Sequence, residues 1–400
     1  MRVVALFLIA LPAALALYAY LGYPALLRVL AAFRPAAPEP FDPAEWPSIS
    51  ISLPAYNEAG SIGATLESLL ALDYPAERRQ ILVVSDASSD GTDAIVRTFA
   101  DRGVELLRLP KRAGKTAAEN AAAPHLRGEI VVNTDATIRI LPGSLRPLIR
   151  AFQDPTVGVA SGRDRSVGKL SEEGNSGESG YVGYEMWLRS LETRAGSIVG
   201  ASGCFYAIRR ELVDLLFPAA LSRDFAAPLR ARERGFRTVS VDAAVCLVPR
   251  TTSLRSELRR KVRTMARGLD TLWYKRSLLN PVRYGWFSWM LASHKLCRWL
   301  VHLTLPGAFI GLALSSPGSL VASVLLFISA VVSALGIYAL AWPSGRPVPR
   351  AFAICGYVVA VNVAGLAAWM QALRREQNPI WEPTRRPGDV AAAPAGAEGS

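Results

Sequence analysis

Four long apolar stretches constrain this chain before any single motif does. Val3 to Leu30 is nearly unbroken, and Trp299 to Leu314, Leu320 to Trp342 and Phe352 to Leu373 follow in the last third. A bilayer core of about 30 Å needs about 20 apolar residues in a helix. The intervening segment, from about Ser48 to Asn280, is polar and carries Asp and Gly in turns. The expected organisation is an N-terminal membrane anchor at 1–33, a Pro-rich linker at 34–47 and a soluble domain at 48–250. Amphipathic interfacial helices at 251–298, membrane helices at 299–374 and a polar tail at 375–400, disordered at its end, complete it. Arg2 and Ala14-Leu15-Ala16 also have the form of a cleaved signal peptide. The apolar run continues well past that point, which favours the anchor.

The formal net charge of +12 raises the question of nucleic acid. Only six of the 45 basic residues are lysines, an arginine bias that fits genome composition. Arg250, Arg255, Arg259, Arg260, Lys261, Arg263, Arg267, Lys275 and Arg276 instead crowd just before the second membrane segment. Positive charge in that place fits a cytoplasmic border facing lipid. No aromatic residues interleave with a basic groove, so no nucleic-acid partner is expected. Cys204, Cys246, Cys297 and Cys355 have neither metal-ligand nor disulfide-framework spacing, and read as buried, reduced thiols.

Within the soluble segment, strands alternate with helices. Ile49 to Leu53, Ile81 to Val84, Val104 to Leu109 and Ile130 to Val132 read as strands. Glu58 to Leu70, Asp93 to Ala100 and Ala117 to Ala123 read as helices between them. That spacing predicts a doubly wound, mostly parallel α/β sheet, with ligands beyond the carboxyl ends of its strands. The unusual polar residues lie at those ends: Pro54 to Glu58, Asp86, and Thr134-Asp135. No Gly-x-Gly-x-x-Gly follows a strand, which argues against a nicotinamide dehydrogenase. Gly114-Lys115-Thr116 has the tail of a phosphate-binding P-loop, but the glycine required five residues earlier is Leu109, inside a strand. The triphosphate-hydrolysing loop therefore cannot form. A lysine at the mouth of a helix can still meet a phosphate. Asp86, Asp90, Asp93 and Asp135 could each simply cap a turn or helix. Two strands delivering acids to one sheet edge, with a lysine from a third, are harder to explain that way.

These residues, taken in order, resemble a known family. Pro54-Ala55-Tyr56-Asn57-Glu58, Ser85 to Thr92, Gly114-Lys115 and Asn133-Thr134-Asp135-Ala136-Thr137 are similar to the motifs of family 2 inverting glycosyltransferases. The likeness continues through Gly200 to Arg210, Arg223-Asp224-Phe225 and Arg260-Lys261-Val262-Arg263-Thr264, and covers roughly Ser48 to Asn280. It implies a GT-A fold inserted between transmembrane helices, one N-terminal and about three C-terminal. The branch it resembles is the membrane-bound one of cellulose, chitin and hyaluronan synthases.

The resemblance also implies roles. Pro54, Tyr56, Glu58, Asp86, Lys115 and Arg263 would bind a nucleotide-sugar donor, expected to be a UDP-sugar, with Asp86 near its base or ribose. Asp135 matches the first acid of the family's Asp-x-Asp and would hold Mg²⁺ or Mn²⁺; Thr137 stands in place of the second and can ligate through water. A hard cation there offsets charge developing on the diphosphate leaving group. Asp224 matches the general base that takes a proton from the acceptor hydroxyl. Its neighbour Arg223 is unusual, and an adjacent cation would weaken that base or bind acceptor charge. The family's Gln-x-x-Arg-Trp appears as Arg260-x-x-Arg263-Thr264, lacking the Gln and Trp, which argues against long-chain polymerisation. Leu254, Leu258, Val262, Met265, Leu269 and Leu272 lie at helical spacing, so this segment reads as an amphipathic helix on the membrane face. His125, His294 and His302 read as surface or interfacial histidines without a role.

The expected activity is metal-dependent, inverting hexosyl transfer to a glycan or lipid-linked acceptor in envelope or extracellular polysaccharide synthesis. The expected location is the plasma membrane, multi-pass, with a cytoplasmic catalytic domain and membrane lipid as a partner. A monoglycosyltransferase acting on a polyprenyl phosphate, or a decayed sugar-nucleotide-binding component, are the competing readings. Three later spans would place Arg374, Arg375, Arg385 and Arg386 outside, against the positive-inside tendency. Phe352 to Leu373, which contains Asn362, is therefore a candidate re-entrant or interfacial segment.

Overall fold

The computed structural model describes residues 1–34, 41–167, 176–213, 216–249, 254–343 and 348–375. Arg250, Arg385, Arg386, part of the linker and all of the polar tail after Arg375 lie outside the described residues. The soluble domain is built on one eight-stranded sheet, ordered β3-β2-β1-β4-β7-β6-β8-β5. Its strands are β1 (Ile49–Ala55), β2 (Arg79–Ser85), β3 (Val104–Arg108), β4 (Ile130–Thr134), β5 (Arg139–Ile140), β6 (Val157–Val167), β7 (Phe205–Arg209) and β8 (Arg237–Pro249). β3, β2, β1 and β4 run parallel, β7 is antiparallel to both β4 and β6, and β5 is antiparallel to β8.

β2 and β4 read largely as continuous apolar runs because both of their faces are covered, whereas β1 buries Ser50 and Ser52 among its apolar residues. Ile51, Leu53, Ile81 and Val83 pack on one side with Ile62 and Leu66 of the helix Ile62–Leu70. Leu82, Val84 and Val131 pack on the other with Ala118 and Ala122 of the helix Lys115–Ala122 and Ala227 of the helix Arg223–Glu233. A third apolar cluster joins domain to membrane helices: Tyr23 and Leu27 meet Leu188, Phe225, Leu272, Phe287 and Leu291.

Among the described residues, four helices are long and apolar enough to cross a membrane: Arg2–Ala32, Trp286–Gly318, Leu320–Leu340 and Arg350–Arg374. One is N-terminal and three are C-terminal, around a domain with the sheet order above. The first and last of them differ from the expected boundaries by a few residues. Trp286–Gly318 starts 13 residues before Trp299, because Phe287, Met290 and Leu291 pack against the domain. Arg350–Arg374 is one unbroken helix of 25 residues, about 37 Å long at 1.5 Å per residue. Asn362 does not interrupt it: its Oδ1 lies 2.8 Å from His302 Nδ1, and its Nδ2 donates to the Val358 carbonyl. The unbroken helix leaves no structural basis for the re-entrant reading. The helix Leu254–Tyr274 packs Ala266 and Leu269 against Ala368 of that last span.

Three expected helices shift at their ends. The first begins at Ile62 rather than Glu58, since 56–61 form a turn tied to the next loop. The second is Thr92–Arg97 and the third Lys115–Ala122. Of the cysteines, Cys246 is buried and the others are half-buried, all as free thiols.

Candidate active site

Parallel pairing carries the ends of β1, β2, β3 and β4 to one edge, and antiparallel β7 brings its start there too, with Thr134 opposite Phe205. The strand order reverses between β1 and β4, the position at which ligands enter open α/β sheets. The loops after β1, β2 and β4 and the loop before β7 therefore face a common space.

Asp86 follows β2 and is 5% exposed. Its Oδ1 accepts from Ala113 N at 2.7 Å and its Oδ2 from Gly114 N at 2.8 Å. Gly114 has φ +91°, a left-handed conformation that glycine adopts without strain. In this arrangement Asp86 braces the turn that starts the Lys115 helix. Lys115 Nζ forms an ion pair with Asp135 Oδ1 and donates to the Gly203 carbonyl at 3.0 Å. Burial works against its charge, but the Asp135 and Glu119 carboxylates more than offset it and hold the ammonium pKa above the ordinary lysine range.

The loop after β1 is tied to the loop after β2. Asn57, at φ +53°, accepts from Ser89 N at 2.8 Å, and Glu58 N donates to Thr92 Oγ1 at 2.9 Å. Glu58 is buried and accepts from Ser61 Oγ at 2.8 Å. Pro54 lies within β1, paired with Val84. The Arg112 guanidinium stacks 3.9 Å from the centre of the Tyr56 ring. Asp90 accepts from Thr92 N, the capping role weighed for it, and Asp93 pairs with Arg108. Thr137 is half-buried and lines a cavity of about 390 Å³ with Ser61, Thr65, Arg139 and Leu247.

Asp224 stands in the first turn of the helix Arg223–Glu233, capped at Ser222. Ser222 Oγ donates to Asp224 Oδ1 at 2.6 Å. Its Oδ2 faces Gly203, where an added Cβ would stand 3.1 Å away. Gly203 thus touches both Asp224 and Lys115, and the structure brings together Lys115, Asp135 and Asp224 around one peptide. Arg223 turns elsewhere. It is 6% exposed, its Nη1 donates to Asn120 Oδ1 at 2.9 Å, and its Nε lies 3.8 Å from Glu119 Oε2. The expectation that Arg223 acts on the base or on acceptor charge is corrected: adjacent helix residues point about 100° apart, and Arg223 takes the inner face. Glu119 lies beneath this site at 1% exposure, with burial raising its pKa against the pull of Lys115 and Arg223.

Arg263 is half-buried on the helix Leu254–Tyr274. One turn on, Arg267 does what the sequence reading did not foresee. It donates to the carbonyls of Ala219, Ala220 and Leu221 and to Thr116 Oγ1, while Thr271 Oγ1 accepts from Ser222 N. The interfacial helix thereby holds the loop that leads into Asp224. The i, i+4 spacing from Arg263 to Arg267 was the available signal. His294 and His302 are also corrected: both are buried, and His294 lies between two carboxylates.

A divalent cation fits the oxygens at this edge. Lys115 already shows a positive charge held by the Asp135 carboxylate and a main-chain carbonyl. Among the described residues no group of three or more His, Cys, Asp or Glu could hold an ion alone. Asp135 would therefore share it with ligand oxygens, as Mg²⁺ sites commonly do.

Comparison with known proteins agrees with this arrangement. Residues 50–217 match the family model for glycosyl transferase family 2. An N-acetylglucosaminyltransferase from a Rhizobium species is 28% identical over 262 residues, 60% of this chain and 57% of that protein. A poly-beta-1,6-N-acetyl-D-glucosamine synthase from Staphylococcus aureus is 28% identical over 214 residues, 52% of each chain. This chain thus spans little more than half the length of those curated relatives. A mannosyltransferase from Pyrobaculum calidifontis, solved in complex with GDP-Man and Mn²⁺, superposes with a TM-score of 0.71 and 26% identity. That match covers 92% of this chain and all of the other. Sheet order, the acids at its edge and these likenesses lead to one assignment: residues 50–217 form a glycosyltransferase family 2 domain, within a soluble domain of GT-A fold.

Proposed function

We propose that this chain transfers N-acetylglucosamine, with inversion, from UDP-N-acetylglucosamine to a hydroxyl of a glycan or lipid-linked acceptor. The observation that carries the reading is the convergence of Lys115 and Asp224 on Gly203 at the carboxyl edge of the sheet, with Asp135 paired to the same lysine. The N-acetylglucosaminyltransferases among its relatives support the donor.

In this reading Asp224 Oδ2 takes the acceptor proton as the hydroxyl attacks the anomeric carbon. Ser222 holds the other carboxylate oxygen and so fixes the rotamer. Asp135 would hold Mg²⁺ or Mn²⁺ with the donor diphosphate, and such an ion supplies charge neutralisation of the leaving group. Lys115 then turns from Asp135 toward the diphosphate and adds a second positive charge. Tyr56, stacked under Arg112, offers a face for the nucleobase, with Pro54 and Glu58 shaping the same loop. Arg263 approaches the diphosphate from the interfacial helix. Asp86 serves the donor through the loop it braces. Arg223 makes its contacts with Asn120 and Glu119, which leaves the Asp224 carboxylate its bond to Ser222 and its approach to Gly203, as an active enzyme requires. Thr264 is exposed and bonds back to the Arg260 carbonyl, so the position of the family's Trp carries a small polar side chain, which supports short products over long-chain polymerisation.

The four apolar helices support a multi-pass protein of the plasma membrane with the domain on the cytoplasmic side, where sugar nucleotides are made. The domain boundaries expected at 48–250 and 251–298 belong to the same proposal. A second reading is a GDP-linked donor, favoured by the full-length likeness to the mannosyltransferase. Purified protein incubated with radiolabelled UDP-N-acetylglucosamine or GDP-mannose, membrane lipid extract and Mn²⁺ tests both. Transfer from the first donor alone supports the proposal, and transfer from the second alone replaces it.

A further inference from the structure

The loop Gly200–Cys204 is held from a direction that the proposed chemistry does not use. Ala201 donates its N–H to the main-chain carbonyl of Asp224 at 3.2 Å. Its own carbonyl accepts from Arg189 Nη2, also at 3.2 Å. The two peptide groups on either side of the Ala201 Cα therefore link Arg189 to the Asp224 main chain. Arg189 is 8% exposed on the helix Ser176–Ala195. Its Nη1 lies 3.5 Å from Ser161 Oγ of β6, which accepts from Ser202 N at 2.8 Å, so the guanidinium holds Ala201 directly and Ser202 through Ser161.

Arg189 is itself held in place. Its Nε lies 3.8 Å from Glu185 Oε1, one turn earlier on the same helix. Glu185 receives Arg298 Nη1 at 2.9 Å and His294 Nε2 at 2.9 Å, both from the membrane helix Trp286–Gly318. Lys295 Nζ approaches the same carboxylate at 3.8 Å. On its other side His294 Nδ1 meets Glu192 Oε1 at 2.7 Å, where the Tyr23 hydroxyl of the first membrane helix also donates. A buried charge cluster of this kind is weak as a source of stability, because desolvation offsets its attraction. Ionisable groups on membrane helices mark function by default. His294 and Lys295 also sit in a π-helical turn, Ala292–Cys297, a feature frequent at functional sites.

We infer that Arg189 is a positioning residue for the Asp224 carboxylate. Through the backbone of Ala201 it holds the Asp224 main chain, and so the carboxylate it carries, beside Gly203, the residue that also receives Lys115. Glu185 and His294 tie that spacing to the membrane helix. The inference rests on the reading of Asp224 as the base. A reacting group misplaced by about 1 Å can lose about 100-fold in rate, so the effect belongs in turnover and not in donor binding.

The test is a double-mutant cycle on the full-length, detergent-solubilised protein. Arg189→Met keeps the volume and removes every donor. It is measured alone and in an Asp224→Asn background, by transfer rate from the active donor and by calorimetry with UDP. Arg189→Met alone should lower kcat about 10- to 100-fold while UDP affinity stays within about twofold. In the Asp224→Asn background the same change should cost less than about threefold, because the geometry it maintains no longer serves a base. Arg189→Lys should restore part of the rate. Equal fold losses in the two backgrounds, or an unchanged kcat in the single variant, overturn the inference. Asp224→Asn transferring at the wild-type rate instead refutes the base assignment, a separate outcome visible before the cycle is closed. If Arg189→Met does not fold, Glu185→Gln takes its place in the cycle, with a smaller loss that must likewise vanish beside Asp224→Asn.

Discussion

Replacing Asp86 by alanine should destabilise the domain, not merely weaken a ligand contact. Both carboxylate oxygens are used on the backbone of the Lys115 turn, at 2.7 Å to Ala113 N and 2.8 Å to Gly114 N. Hydrogen bonds to a charged acceptor contribute about 1.5–3 kcal/mol each, and a donor left unsatisfied in the interior costs about 1–3 kcal/mol. The Gly114 N–H is buried and would lose its partner outright, whereas Ala113 N is nearer the surface and water replaces part of its bond. The sum expected for Asp86→Ala is about 2–4 kcal/mol. Asp86→Asn keeps one acceptor oxygen but sets an amide N–H₂ against a second donor, so it should fall between the two. Thermal unfolding in detergent, followed by circular dichroism, reads the loss, and UDP titration of the folded fraction reads the consequence for the site. An Asp86→Ala protein that unfolds like wild type but has lost nucleotide affinity would refute the brace. Asp86 would then contact the nucleoside directly.

Asp135→Ala should abolish the metal dependence of UDP binding and leave the fold intact, since Asp135 is half-exposed and its carboxylate pairs with Lys115; calorimetry with and without Mn²⁺ checks this. Unchanged metal-dependent affinity removes Asp135 from the site. Glu119 gives a pH signature. Burial raises its folded-state pKa above the ordinary 4.5, so the folded protein binds more protons than the unfolded chain, and this group's contribution to stability falls as pH rises from about 4.5. Glu119→Gln, which mimics the protonated form, should therefore flatten the decline in unfolding temperature above that pH, and an unaltered pH profile contradicts the assignment.

Much of the sheet was legible because its strands are buried on both faces. Ile81 to Val84 and Ile130 to Val132 are unbroken apolar runs, and each is followed at once by the polar residues that edge the site. Lys115 and Asp135 could be placed at that edge from the alternation of strands and helices alone. Their ion pair could not, because it depends on the turn that Asp86 sets 27 residues before Ala113. The same long reach hid the role of Asp86, whose sequence neighbours are those of any turn. Arg223 misled for a different reason. Adjacency in sequence suggested adjacency of charge, but the helix sends Arg223 inward to Asn120 while Asp224 faces Gly203. Arg267 and Arg189 carry no motif at all, and their importance lies in which carbonyls they meet. His294 looked interfacial because its partners Glu185 and Glu192 lie about 100 residues away on another helix.

The central claim is that Asp224 is the general base of an inverting transfer, and the direct measurement is transfer rate beside nucleotide affinity in Asp224→Asn. Asn keeps the shape and can still accept from Ser222 at the helix start, so a purely structural Asp224 would lose little. A base acts only in the transition state, so its loss lowers turnover and not binding. The account predicts a fall of about 10²- to 10⁴-fold in kcat with UDP affinity within about twofold of wild type. Transfer by Asp224→Asn within a few-fold of the wild-type rate would contradict it.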